Sequence, residues 1–412
     1  MANRRAAWAV ILGLLWVAWA AAQPAAANAN LCSQVPAIAR SLTEISGMKL
    51  YHPVPCAFIS KQKINQFLKQ RVHENESAEE IRAEEMVLKK FGFVPPDFNL
   101  AGGTVDLLTE QAAAFYDYNR KRLFIIETAS SEPQDALLAH ELAHALADQS
   151  FHLARYIRQG RKSDDGSTAR LAVMEGQATW LMSEYLSRRA GQAPVEAPEA
   201  ADPKSGGGQF PVFENAPLYL RQSLVFPYTQ GMLFQDAVFQ RDGQDAFAEV
   251  FRRAPVSTQQ IIHPEKYFAK LEPADPQLPH PRLPGGYKSL IGGSLGELEH
   301  SILIEQFARA ETARELAPHW RGCTFELREN RKANRAVLLY AVEWDSEENA
   351  RRYFAVYRQA LGKKWKSLAV TAESADSVTG TGDDGGFELR RAGAIVTSVE
   401  GLPPATPGRR SR

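Results

Sequence analysis

His140-Glu141-Leu142-Ala143-His144 reads HExxH. Histidines four residues apart project from one face of an α-helix, so both imidazoles can reach a single divalent cation. The glutamate between them is turned aside from that cation but lies near a water the cation would hold, where a carboxylate can accept a proton. Two imidazoles, one acid and an open coordination position are the groups zinc-dependent hydrolysis requires. A five-letter pattern also recurs by chance on solvated helices, so its flanks must decide.

The flanks favour a buried site. Ser131, Pro133 and Gln134 make a helix start with a capping box, and alanine and leucine fill nearly every other position from Ala136 to Leu146. A helix apolar nearly all round is buried, and titratable groups inside it are costly unless they bind something. Upstream, Arg122 to Ile126 reads as a strand with Ala114 to Tyr118 as its hairpin partner. An edge strand just before a metal helix is expected to hold an extended peptide beside the cation. A catalytic zinc takes three protein ligands. Glu175, the one acid in the apolar middle of a helix expected from about Ser167 to Arg188, is the best third ligand. It follows His144 by 31 residues (175 − 144), enough for a loop and an antiparallel return helix. His152, eight residues past His144, is the competing ligand, placed where the helix should already fray.

His140, Glu141, Leu142, His144, Ala145 and Asp148, in the run HELAHALAD, resemble the active-site helix of thermolysin-like metallopeptidases, the gluzincins. The wider layout is similar to a poorly characterised group of secreted bacterial HExxH proteins. The stretches that carry this likeness are Ala114 to Asp117, His140 to Gln149, Glu175-Gly176, Phe226 to Gly231 and Pro255 to Tyr267. The resemblance implies a zincin-like core in which a later helix supplies a glutamate ligand. One position departs from the pattern. Where these enzymes place an aspartate that orients the first histidine, four residues after the ligand glutamate, this chain has Thr179. Either Asp148 or another acid is then expected to orient the imidazole, or the site is expected to bind zinc less tightly.

In zincins a tyrosine or histidine across the cleft donates to the oxyanion. Tyr228 and His263 are the residues available for that role, with Tyr116 behind them. The expected chemistry is a Zn²⁺ held by His140, His144 and Glu175, with Glu141 as general base against a peptide or protein substrate. Two alternatives are a zinc-binding envelope protein without activity and a zinc amidase acting on cell-wall cross-links.

Met1 to Arg5 is basic, an apolar stretch runs from Ala6 to Ala22, and small residues follow to Ala29. That is the pattern of a signal peptide over residues 1–29, so the chain is expected to be secreted or periplasmic. A retained membrane anchor is the alternative. In an exported chain Cys32 and Cys56 are expected to pair, closing a loop of about 25 residues and contributing roughly 3 kcal/mol, with Cys323 left over. The 48 basic and 48 acidic side chains cancel, so there is no field to draw in nucleic acid or anionic lipid.

The expected fold is α+β and mostly helical. A helical N-terminal segment (30–90) leads into a core (91–271) built of a short sheet and two antiparallel metal-bearing helices. A proline-rich linker (272–286), a small C-terminal α+β domain (287–402) and a tail (403–412) follow. Past the Glu175 helix come a composition-biased loop from Gly191 to Pro217 and helices at about Ala216 to Leu224, Tyr228 to Asp242 and Gly243 to Arg253.

Overall fold

The computed structural model describes residues 31–75, 77–127, 134–160, 163–192 and 210–404. The signal segment, Ser131, most of the Gly191–Pro217 loop and nearly all of the tail lie outside them. The chain is α+β and mostly helical. It divides into two compact units: one takes the residues up to Ile81 with Asp97–Leu271, the other Arg82–Pro96 with everything from Glu272. One division between the units falls inside the helix Ala78–Phe91.

The first unit contains a three-stranded sheet of order β1-β3-β2, made by β1 (Cys56–Ile59), β2 (Ala114–Asp117) and β3 (Arg122–Ile126). β3 pairs antiparallel with β2, Tyr116 opposite Leu123, and parallel with β1, Phe58 opposite Ile125. The strand nearest the HExxH motif in sequence is thus flanked on both sides. The edge beside the motif belongs to β2, which is wholly buried. β1 interrupts a segment whose spacing is otherwise helical; four residues carry too little alternation to signal a strand.

The helix Leu31–Ser46 buries Val35, Ile38, Leu42 and Ile45 and packs against the motif helix. Its first turn is tied to β1 by the Cys32–Cys56 disulfide, Cα atoms 5.6 Å apart. Gln149, near the end of the motif helix, holds the chain between them: its Oε1 accepts the Tyr51 and His52 amides at 2.8 and 2.9 Å, and its Nε2 donates to the His52 carbonyl at 2.9 Å. The two helices expected around Pro227 form one, Leu218–Asp242. Proline removes an amide donor at a cost of about 3 kcal/mol, which packing of the buried faces on either side of it must offset.

The second unit is a seven-stranded antiparallel sheet of order β4-β5-β6-β10-β9-β8-β7. Its strands are β4 (Lys288–Gly293), β5 (Trp320–Asn330), β6 (Arg335–Trp344), β7 (Leu368–Glu373), β8 (Ser377–Gly382), β9 (Gly385–Ala392) and β10 (Ile395–Leu402). The helix Glu347–Lys364 packs against β6, β9 and β10. Residues 272–287 are not a free linker. Leu278, Leu283 and Tyr287 pack against Val337, Leu339 and Val399, and Ala274 pairs with Gly322, so the proline-rich stretch is an extended cover for the sheet. Among the described residues no helix is long and apolar enough to cross a membrane.

Candidate metal centre

The motif helix spans Gln134–Phe151, and every residue from Ala136 to Asp148 is buried. No glycine, proline or β-branched residue interrupts it, so local propensity and burial agree. The Glu175 helix, Asp164–Arg189, opens with Ser163 accepting the Gly166 amide at 3.3 Å. Asp164 and Asp165 in its first turn and Arg188 and Arg189 in its last complement the helix dipole. Arg189 pairs with Asp135 at the opposite end of the motif helix, so the two helices run antiparallel.

This packing brings His140, His144 and Glu175 together; among the described residues they are the one group of three that could hold a metal ion. His140 Nε2 lies 3.1 Å from Glu175 Oε2 and 3.2 Å from His144 Nε2, and the third side of the triangle is 3.3 Å. Ligand atoms about 2.0–2.1 Å from a tetrahedral zinc stand roughly 3.3 Å from one another, so the donor set and its spacing fit such an ion. Of the three, His144 has the greatest exposure, 8% against 0% and 1%. Burial drives His140 down to about 4 and so keeps it neutral. Burial alone would raise Glu175, but His144 and the bonds from both imidazoles outweigh it and hold the carboxyl below its usual range. Burial likewise opposes a charge on His144, yet the Glu175 carboxylate overcomes it and raises that imidazole.

Glu141 faces β2. Its Oε2 accepts the Tyr116 amide at 2.6 Å, and burial pushes the carboxyl up to about 7 against the pull of His144 and that amide. Tyr228 comes from the Pro227 helix: its ring stacks on His140 with centroids 6.0 Å apart, and its hydroxyl bonds to Glu175. Burial, reinforced by the Glu175 and Glu141 charges, holds the phenol well above its ordinary value, so it stays protonated and donates. Two glycines permit this approach. A Cβ on Gly176 would lie 2.6 Å from Gly231 Cα, and one on Gly231 would lie 2.9 Å from the Ala172 carbonyl carbon. The helices therefore cross backbone to backbone one residue past Glu175 and three past Tyr228.

A domain-family model matches residues 289–410. It is described as a domain of unknown function, DUF8575. That stretch is the seven-stranded sheet unit, less than a third of the chain, and it does not include the donor group. No curated protein and no solved structure matches the chain.

Other sequence expectations fall differently. His263 joins the short helices Thr258–Ile262 and Pro264–Phe268, with its Nδ1 3.7 Å from Glu265, and lies outside the donor group. His152 sits exposed at φ 56°, where the left-handed turn breaks the motif helix from the next one, and it too is outside the group. Asp148, expected to orient an imidazole, is spent elsewhere, and so is Thr179 at the position where the pattern has an aspartate. The Thr179 hydroxyl donates to the Glu175 carbonyl at 2.7 Å, and Asp148 accepts from Tyr116, Lys121 and the Leu153 amide. The sequence reading missed the Tyr116 amide as a partner for Glu141, because backbone donors leave no trace in residue type.

Proposed function

We propose that this protein is an exported zinc-dependent peptide hydrolase with a zincin-like core. The observation that carries the reading is the Glu175 carboxylate oxygen standing 3.1 and 3.3 Å from both imidazole nitrogens of HExxH. His140, His144 and Glu175 would hold the ion. Zinc, when bound, supplies Lewis acidity toward a carbonyl and lowers the pKa of water.

The remaining work falls to this chain's own groups. Glu141 Oε2 is held by the Tyr116 amide, while among the described residues no hydrogen bond engages Oε1. One oxygen therefore fixes the carboxylate and the other is left to take the proton from the attacking water and pass it to the leaving amine. Tyr228 stays protonated beside Glu175, and its single O–H would have to turn from that carboxylate to serve the developing oxyanion. Retention of Glu141 favours an enzyme over an inert zinc protein, since a structural site gains nothing from a buried acid next to its ligands.

Digestion of casein and of peptidoglycan by zinc-loaded protein, with a chelator control, tests this reading. Casein cleavage is expected, and Glu141→Gln should keep its zinc while losing turnover. An active, zinc-loaded glutamine variant removes the general-base role, and full metal content in His144→Ala removes that ligand.

A further inference from the structure

The base of the proposed reaction is held from outside the motif, at two points. The Ile126 amide donates to the Ala113 carbonyl, so Ala113 and Ile126 form a hydrogen-bonded pair in the β2–β3 ladder. Alternation then makes Tyr116 and Leu123 a non-hydrogen-bonded pair, and the Tyr116 amide points away from β3 toward the open edge of the sheet. There it meets Glu141 Oε2 at 2.6 Å. The phenol of the same residue reaches Asp148 Oδ2 at 3.0 Å. Asp148 follows Glu141 by seven residues (148 − 141), two helical turns, and so lies on the same helix face. One tyrosine thus touches the motif helix through its main chain at the base and through its side chain two turns further on.

Asp148 has no exposure, and its charge is met by three donors. Besides the phenol these are Lys121 Nζ at 2.6 Å on the same oxygen and the Leu153 amide at 3.0 Å on the other. Lys121 sits in the β2–β3 turn at φ 53°, and from there its ammonium reaches Asp148 on the motif helix.

We propose that Tyr116 and Asp148 are positioning residues for Glu141: Asp148 anchors the phenol, the phenol fixes β2 against the helix, and the Tyr116 amide sets the carboxylate in place. This rests on the reading of Glu141 as the base, but its structural half does not depend on the protein being a peptidase. The test is hydrogen exchange across residues 113–118 in the full secreted chain, together with zinc content and steady-state kinetics. Removing the anchor in Tyr116→Phe or Asp148→Leu should speed exchange at the Tyr116 amide about tenfold. The same variants should keep zinc and lose about tenfold to a hundredfold in kcat, with KM little changed. Glu141→Gln, which retains a carbonyl acceptor, should keep the amide protected, whereas Glu141→Ala should expose it. Lys121→Met leaves the phenol bond in place and reports the clamp if Asp148→Leu does not fold; a smaller rise in exchange is expected. Unchanged exchange in Tyr116→Phe, or equal exchange in the two Glu141 variants, overturns the clamp. Normal exchange shifts in a protein that cleaves nothing would instead count against the hydrolase reading alone.

Discussion

Replacing Gly231 by alanine sets two effects against each other. In a helix interior alanine is favoured over glycine by about 1 kcal/mol, so propensity alone predicts a more stable protein. The crossing predicts the opposite, because a new Cβ would lie 2.9 Å from the Ala172 carbonyl carbon and closer still to its oxygen. Restoring ordinary contact requires the helices to part by about 1 Å, and overpacking of this kind costs about 1–3 kcal/mol. The separation also strains the Tyr228–Glu175 hydrogen bond, worth about 1.5–3 kcal/mol because one partner is charged. The net expectation is a loss of roughly 2–5 kcal/mol, a large share of a domain's 5–15 kcal/mol. Urea unfolding in chelator measures it without interference from bound metal. Trp180 lies in this helix pair, its ring 4.5 Å from Phe239 and 5.3 Å from Phe247, and contributes to the fluorescence change on unfolding. Gly176→Ala should behave alike. The double variant should cost much less than the sum, because one displacement relieves both clashes. A Gly231→Ala protein as stable as the parent, or about 1 kcal/mol more stable, would refute the close crossing.

Two further outcomes are expected. His300, fully buried, accepts from the Tyr340 hydroxyl at Nε2 and donates from Nδ1 to the Gly296 carbonyl, and burial drives it down to about 4. With a folded value below the unfolded 6.5, its contribution is complete above about pH 6.5 and is lost as pH falls toward 4, about 3 kcal/mol in all. Denaturation of the sheet unit across that range should show the loss, His300→Leu should flatten it, and an equally steep variant would exclude this histidine as the cause. Reducing the Cys32–Cys56 disulfide, which spans 24 positions, should destabilise the unit that carries the donor group by about 3 kcal/mol. The same melting curve with and without reductant would argue that the loop is already ordered in the unfolded chain.

The donor group was legible because its chemistry is written in residue type. HExxH states its own geometry once the helix is known, and Glu175 stood out as an acid where only apolar side chains belonged. What escaped was whatever depends on the main chain or on distant packing. Pro227 looked like a helix boundary, yet the buried faces on both sides keep one helix running through it. β4 and β8 are glycine-rich and weakly alternating, so their strand character comes from the neighbours that complete the sheet. The proline-rich stretch after Leu271 read as a spacer, and only the sheet face it covers gives Leu278 and Leu283 a purpose. Asp148 was expected near an imidazole, but the hairpin turn brings Lys121 and Tyr116 to it first.

The disulfide-stapled segment 31–59 bears on how the unit that carries the donor group holds together. Residues 31–59 supply a strand of the three-stranded sheet, a helix against the HExxH helix and the loop gripped by Gln149. Loss of the stretch ahead of Lys61 would therefore strip a strand, a helix and a clasp from the unit that carries the donor group, and should destabilise that unit.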